Sequence, residues 1–324
     1  MCYSAQIKAD YNKFQRVYGA VLDLREFVRL FWEKRRDGSW TKIPKAMREP
    51  FRTPSSEAGF ELAKLVAEGD RDLAGTYEAE LDAQQARLAA AEAKLASPKP
   101  TKAAANDKRI ATNKIAAAQR NLDDLARREI VDRDRRIFPD WYAPVMLVEN
   151  GQRVVRPMRY HCRPCGMPKT SDRTKEGKVS GKYNARRDNL ERFWSNLFGH
   201  THCVMFADAF FENVPLHKYE HRDLRPGERE QNVVLKFDPS PAQEMLVACL
   251  WSPWTEGEEQ LNSFAAITDE PPPEVAAAGH DRCIIPIKPE HLDAWLNPDP
   301  NNLAALHAIL DDRARPYYEH QLAA

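Results

Sequence analysis

Residues 203–212 read Cys-Val-Met-Phe-Ala-Asp-Ala-Phe-Phe-Glu, an apolar run of strand length that ends in an acid. The stretch belongs to a series. Val145 to Val148 followed by Glu149-Asn150-Gly151 predicts a strand entering a hairpin turn. Asn232 to Phe237, Met245 to Trp251, Phe264 to Thr268 and Cys283 to Ile287 are further runs of the same kind. Leu292 to Leu296 and Leu303 to Leu310 are helical by spacing. Short strands with a few helices give an α+β body, a curled mixed or antiparallel sheet or an open β-barrel with flanking helices.

Upstream the texture differs. Apolar residues from Ala9 to Arg36 recur at helical spacing, with Leu24, Phe27, Val28 and Phe31 on one stripe. Residues 55–136 are rich in Ala, Glu, Lys, Arg, Leu and Gln. Leu81, Leu88 and Leu95 recur at heptad spacing, with Tyr77 and Ala91 between. After Ser97-Pro98-Lys99-Pro100 a second seam follows at Ala111, Ile115, Ala118, Leu122 and Leu125. Two heptad-like helices broken by a double-proline turn predict an antiparallel hairpin. Residues 1–54 and 137–324 would form the main body, and 55–136 would be an insertion that leans on it or on a protein partner.

Composition narrows the function classes. The chain has 324 residues, 43% hydrophobic and 30% charged, with 48 basic and 48 acidic side chains and zero formal net charge. A non-specific coat for duplex DNA would be more basic, so any nucleic-acid contact is expected to be a local pocket. No run approaches the ~18 apolar residues of a membrane helix, and the N-terminus carries no secretory pattern. The six cysteines are unevenly spaced, which suits reduced thiols in the cytoplasm better than a disulfide framework. A monomer without cofactor or metal is expected.

Cys2 carries the first chemical signal. Removal of Met1 would leave an α-amine and a thiol on adjacent carbons. An aldehyde can condense with the amine to a Schiff base, and the thiol can close on the imine carbon to give a thiazolidine. The groups have reference pKa values of about 7.7–8.0 and about 8.5, and holding them together favours ring closure. A ring-opened abasic deoxyribose is such an aldehyde.

Three later segments give Cys2 a context. Lys182-Tyr-Asn184-Ala-Arg186-Arg187 precedes a helix-like stretch to Trp194; Cys203 to Glu212 follows; Gly279-His280-Asp281-Arg282 stands before Cys283 to Ile287. With Met-Cys-Tyr-Ser at the start, these resemble, in order and rough spacing, the SRAP family (SOS response-associated peptidase, or abasic-site processing proteins). Its pattern is Met-Cys-Gly/Tyr, an Asn-Ala-Arg segment, a strand ending in Phe-Tyr-Glu, and His-Asp-Arg-Met-Pro. The resemblance covers the first few residues and about 137–297. It implies an abasic-site sensor that crosslinks to single-stranded DNA, associated with the nucleoid. Cys2 would be the nucleophile and Asn184 would hold it. Glu212 would move protons during sugar opening and imine formation, and His280 would assist ring opening and reversal. Arg186 would clamp a DNA phosphate, with Arg187, Arg159 and Arg282 as neighbouring DNA contacts. A carboxylate and an imidazole tuned towards neutrality suit that proton traffic.

The chain departs from the pattern in places. Arg159-Tyr160-His161-Cys162-Arg163-Pro164 stands for Arg-Trp-Gly-Leu-Ile-Pro, so Tyr160 takes the place of a tryptophan expected to stack near the lesion. Asn213 replaces a tryptophan after the glutamate. Two alternatives stand beside this reading. One is an N-terminal-cysteine peptidase, although only Met1 precedes Cys2. The other is an interaction protein stabilised by zinc at His161, Cys162, Cys165, His200, His202 and Cys203.

Overall fold

The computed structural model describes residues 4–54 and 57–323. It divides into two compact units, one of Met1–Phe27, Thr41–Pro50 and Val131–Ala324, the other of Val28–Trp40 and Phe51–Ile130.

In the first unit the described residues form thirteen strands. In chain order they are β1 (Ser4–Ile7), β2 (Val21–Leu22), β3 (Arg136–Ile137), β4 (Tyr142–Glu149), β5 (Gln152–Tyr160), β6 (Asn184–Arg186) and β7 (His202–Pro215). Then come β8 (Asn232–Ser240), β9 (Met245–Glu256), β10 (Glu259–Asp269), β11 (Cys283–Ile284), β12 (Pro286–Ile287) and β13 (Tyr317–Leu322). Strands β4, β5, β10, β9 and β7 pair in turn, and β7 returns to β4, so the barrel closes where the sequence leaves an open one equally available. Only the β5–β10 contact in this ring is parallel.

The β4–β5 hairpin turns as its sequence predicts. Asn150 and Gly151 have φ of 51° and 75°, the left-handed pair that a two-residue turn needs to match strand twist. Strand β7 runs past the ring. Residues 202–207 pair with β9, whereas the later part lies between β1 and β8, with Ser4 opposite Phe211 and Glu212 opposite Leu235. Val204, Phe206 and Phe210 of β7, Phe237, Phe264 and Trp295 are wholly buried. Each contributes roughly 1.5–3 kcal/mol through burial.

The helix expected from Ala9 to Arg36 is two helices, Tyr11–Tyr18 and Leu24–Arg36. Gly19, at φ 61°, donates its N–H to the Gln15 carbonyl and ends the first in a left-handed cap. The helix-like stretch after Arg187 is one short 3-10 turn, Arg187–Asn189, followed by turns.

In the second unit, helices Glu57–Leu95 and Lys102–Ala126 form the antiparallel hairpin, the second capped by the Thr101 hydroxyl. Ion pairs Arg87–Asp107 (2.5 Å), Glu92–Lys108 (2.8 Å) and Glu80–Lys114 (2.9 Å) set the register. The heptad period holds, but its phase on the first helix does not follow the leucines. Gln84 and Ala91 are buried there, facing a seam of Ala104, Ala111 and Ala118, while Leu81, Leu88 and Leu95 are half-buried. Small side chains let the helix axes approach, and longer ones are pushed to the flanks of the contact.

Candidate active site

Glu212 points from β7 into a fully buried position. Its neighbour comes from the loop before β11. Gly279 has φ 95°, and a Cβ there would lie 2.9 Å from both Val214 Cγ1 and Lys218 Cβ. A residue without a side chain therefore lets the loop press against β7. His280 follows, and its Nε2 stands 3.2 Å from Glu212 Oε2.

The other ring nitrogen, Nδ1, lies 2.9 Å from the Arg282 carbonyl and 3.2 Å from the Arg282 N–H. Burial pushes the imidazole down to about 4, so the ring is neutral near pH 7. A ring protonated on Nδ1 donates to the Arg282 carbonyl and turns its Nε2 lone pair towards Glu212. A ring protonated on Nε2 donates to the carboxylate instead. The two tautomers differ in which group accepts the single N–H of the neutral ring, the Arg282 carbonyl or the Glu212 carboxylate.

Asn184 opens β6, opposite Ala266 of β10, two residues along that strand from the Tyr160–Phe264 pair of β5. β6 thus resumes the edge that β5 leaves. Along it the Tyr160 hydroxyl reaches Asn184 Oδ1 at 3.4 Å. Tyr160 is wholly buried, 5.4 Å from the Phe264 ring and 5.7 Å from that of Tyr183. This corrects the expectation of a stacking platform: the ring is part of the core, and its hydroxyl orients Asn184.

Arg186 is exposed and holds Asp188 through two contacts, at 2.5 and 3.1 Å. The Asp188 hydrogen bond, with a smaller contribution from Asp281, raises its pKa, and Arg282 in turn helps to hold Asp188 down. The Asn184–Arg186 strand and the His280–Arg282 loop therefore meet at one charged rim. Arg187 and Arg159 do not present free guanidinium groups to it. Arg187 bridges Asp269 (3.2 Å) and Asp311 (2.6 Å). Arg159 bonds Asp172 at 2.8 Å and lies 3.8 Å from Asp140, with its side chain 11% exposed. Of the two, Arg159 is the one held in a buried ion pair, whereas Arg187 is partly exposed between its carboxylates.

Cys2 lies outside the described residues. Ser4 pairs with Phe211, the residue before Glu212, and its hydroxyl accepts from Arg136 Nε at 3.0 Å.

Among the described residues no group of three or more His, Cys, Asp or Glu side chains could hold a metal ion. Two histidines of the zinc alternative have other partners. His161 contacts Asp140 and Ser180, and His202 accepts from the Gly199 N–H at 2.9 Å while facing the Trp295 carbonyl. Cys162 is buried and pushed up to about 12 by that burial.

Sequence reading missed the ion-pair network behind the site, where Asp172 binds Arg163 (2.5 Å) and Arg159, and Asp140 binds Arg173. Its members are scattered along the chain, and only the Arg159-Tyr160-His161-Cys162-Arg163 cluster hinted at it.

The sequence profile of the family described as SOS response associated peptidase (SRAP) matches residues 102–322. No curated protein matches the sequence. A solved protein from Bordetella bronchiseptica is similar at 16% identity, with 59% of this chain and 87% of that one covered and a TM-score of 0.45. One from Bacteroides thetaiotaomicron has 14% identity, coverage of 60% and 80%, and a TM-score of 0.43. A phage-related protein from Bordetella bronchiseptica has 19% identity, coverage of 61% and 84%, and a TM-score of 0.43.

Proposed function

The chain belongs to the SOS response associated peptidase (SRAP) family, and on that premise we propose that it captures abasic sites in single-stranded DNA by a covalent bond to Cys2. Its family ties it to the DNA-damage response. The finer reading rests on one observation, the buried Glu212–His280 pair at 3.2 Å beside the strand that Ser4 begins. Ser4, two residues after Cys2 in the sequence, pairs with Phe211, the residue before Glu212.

The chemistry follows from that pair. A proton delivered to the ring oxygen of the abasic sugar opens it to the aldehyde. The Cys2 amine adds to the aldehyde carbon, and a second proton transfer releases water and leaves an imine. The thiol then adds to the imine carbon, its proton passing to the nitrogen, and a thiazolidine forms. Glu212 can serve each transfer as acid or base, with the neutral His280 ring at its side as hydrogen-bond partner. Asn184, oriented by Tyr160, is suited to hold the terminal residue. Arg186 and Arg282 are the phosphate contacts of this reading. Among the described residues no helix is long and apolar enough to cross a membrane.

The test is a single-stranded oligonucleotide carrying one abasic site, incubated with the purified protein and resolved under denaturing conditions. A crosslinked species with the mass of protein plus DNA less one water is expected, and Cys2→Ala abolishes it. Equal crosslinking by Cys2→Ala overturns the reading.

A further inference from the structure

The segments beside Tyr160 and Asn184 carry a second group of side chains that crosslinking does not use. His161 Nδ1 lies 2.7 Å from Asp140 Oδ1, and its Nε2 lies 2.8 Å from Ser180 Oγ. The second oxygen of Asp140 accepts from Arg173 at 2.8 Å. Burial raises the Asp140 carboxyl, but hydrogen bonds from His161 and Arg173 outweigh it and hold the group well below the usual carboxylate range. An ionised Asp140 takes the Nδ1 proton of His161 as its hydrogen bond. That fixes the tautomer whose Nε2 lone pair faces the serine hydroxyl.

Access is one-sided. The His161 imidazole is wholly buried, Ser180 is half-exposed and the following Gly181 is exposed. The base is therefore reached only through the serine. Its backbone is also strained, with φ 149°, a region that a residue with a Cβ rarely adopts. Bonds from the His161 N–H to the Phe264 carbonyl (3.1 Å) and from the Asp140 N–H to the Tyr160 carbonyl (2.8 Å) pin both residues. Nucleophile to base and base to orienting carboxylate are both at hydrogen-bond distance, as activation of a serine requires.

We propose that Ser180 is an activated nucleophile towards carboxylic esters and similarly activated acyl groups, with His161 as its general base and Asp140 as the orienting carboxylate. The Ser180 Oγ–H proton passes to His161 Nε2 as Oγ bonds to the acyl carbon. Collapse of the tetrahedral adduct breaks the bond to the leaving alcohol, which takes the proton from His161. Water then adds to the acyl-serine, gives a proton to His161, and releases the carboxylic acid as Oγ recovers its proton. Nothing is oxidised or reduced. The step needs neither Cys2 nor DNA, so it stands or falls apart from crosslinking.

The test is treatment of the full chain with a fluorophosphonate probe, which modifies activated serines and spares the exposed Cys165 thiol. Intact mass and peptide mapping should find one probe per chain, on Ser180. Ser180→Ala, a small change at a half-exposed position, should lose it. Asp140→Asn, which favours the wrong tautomer, should slow labelling at least about 100-fold. Circular dichroism checks that each variant folds. Failure of the wild-type chain to label at Ser180 overturns the proposal. So does equal labelling of Ser180→Ala, or a folded Asp140→Asn that labels at the wild-type rate; the three side chains then only brace the segments they join.

Discussion

His280 Nε2 and Glu212 Oε2 face each other across 3.2 Å, the carboxylate with no solvent exposure and the imidazole with 7%. On the proposed reading Glu212 gives and takes the protons of sugar opening and imine formation. Glu212→Gln keeps the volume and removes that acid and base. Crosslinking to an abasic oligonucleotide should slow by about 100-fold or more, with the melting temperature little changed. A Gln variant crosslinking at the wild-type rate would exclude the carboxyl from proton transfer.

Burial holds His280 at about 4 and His202 at about 3. An unfolded chain protonates its histidines near pH ~6.5, so between these values the unfolded state binds more protons than the folded one. Stability is thus fullest above pH ~6.5 and declines as pH falls towards 4 for His280 and 3 for His202, by up to ~1.4 kcal/mol per unit for each. The urea midpoint should be lower at pH 5 than at pH 7.5, and His202→Gln should reduce that difference. A midpoint unchanged between the two would contradict the burial of both rings.

Tyr160 donates its hydroxyl to Asn184 while its ring packs on Phe264. Tyr160→Phe preserves the ring and should cost about 1 kcal/mol in stability. If orientation of Asn184 matters, the crosslinking rate should fall several-fold at saturating DNA without change in DNA affinity. A loss confined to affinity would restore Tyr160 as a stacking residue.

Arg186 and Arg159 should behave in opposite ways. Arg186 is exposed at the rim, and Arg186→Ala should weaken single-stranded DNA binding and make the salt slope shallower by roughly 0.7. Arg159→Met should leave Asp172 and Asp140 with one cation fewer in a buried network and destabilise by roughly 3–5 kcal/mol. Salt-dependent fluorescence titration and urea denaturation read the two effects. A shallower salt slope in a stable Arg159→Met would reverse their roles.

In the helical unit Gly69 lies against Trp40, and a Cβ there would fall 2.5 Å from the indole ring. Replacing a helical glycine by alanine ordinarily stabilises by about 1 kcal/mol. Here the indole is also held by its Nε1 hydrogen bond to Asp70 at 2.8 Å, so overpacking should prevail. Gly69→Ala should destabilise by about 1–3 kcal/mol, as a thermal melt would record. A rise in melting temperature would mean that Trp40 moves aside freely.

Much of the fold was legible where local chemistry sufficed. The Asn150-Gly151 turn, the apolar run of β7 and the double-proline break of the hairpin all follow from conformational preferences of a few adjacent residues. The hairpin phase was not, because heptad spacing marks leucines and alanines alike and only the helix pairing chooses which of them meet. At the site, the motif order pointed to Asn184, Glu212 and His280, whereas the burial of Tyr160 and of the Arg159 ion pair was not legible. Their residue types suit exposed contacts with DNA equally well, and burial alone distinguishes the uses.

The sequence by itself determined which side chains could do chemistry here: an aminothiol precursor at position 2, an acid closing a strand, a histidine after Gly279, and their order along the chain. Local rules and motif spacing carry that information. Only the tertiary structure decided which of them touch. Closure of five strands into a ring sets the edges along which Tyr160 meets Asn184, and the approach allowed by Gly279 brings His280 to Glu212. The Asp140–His161–Ser180 alignment is of the same kind, since no local rule links three residues whose contact depends on two separate loops meeting at one strand end.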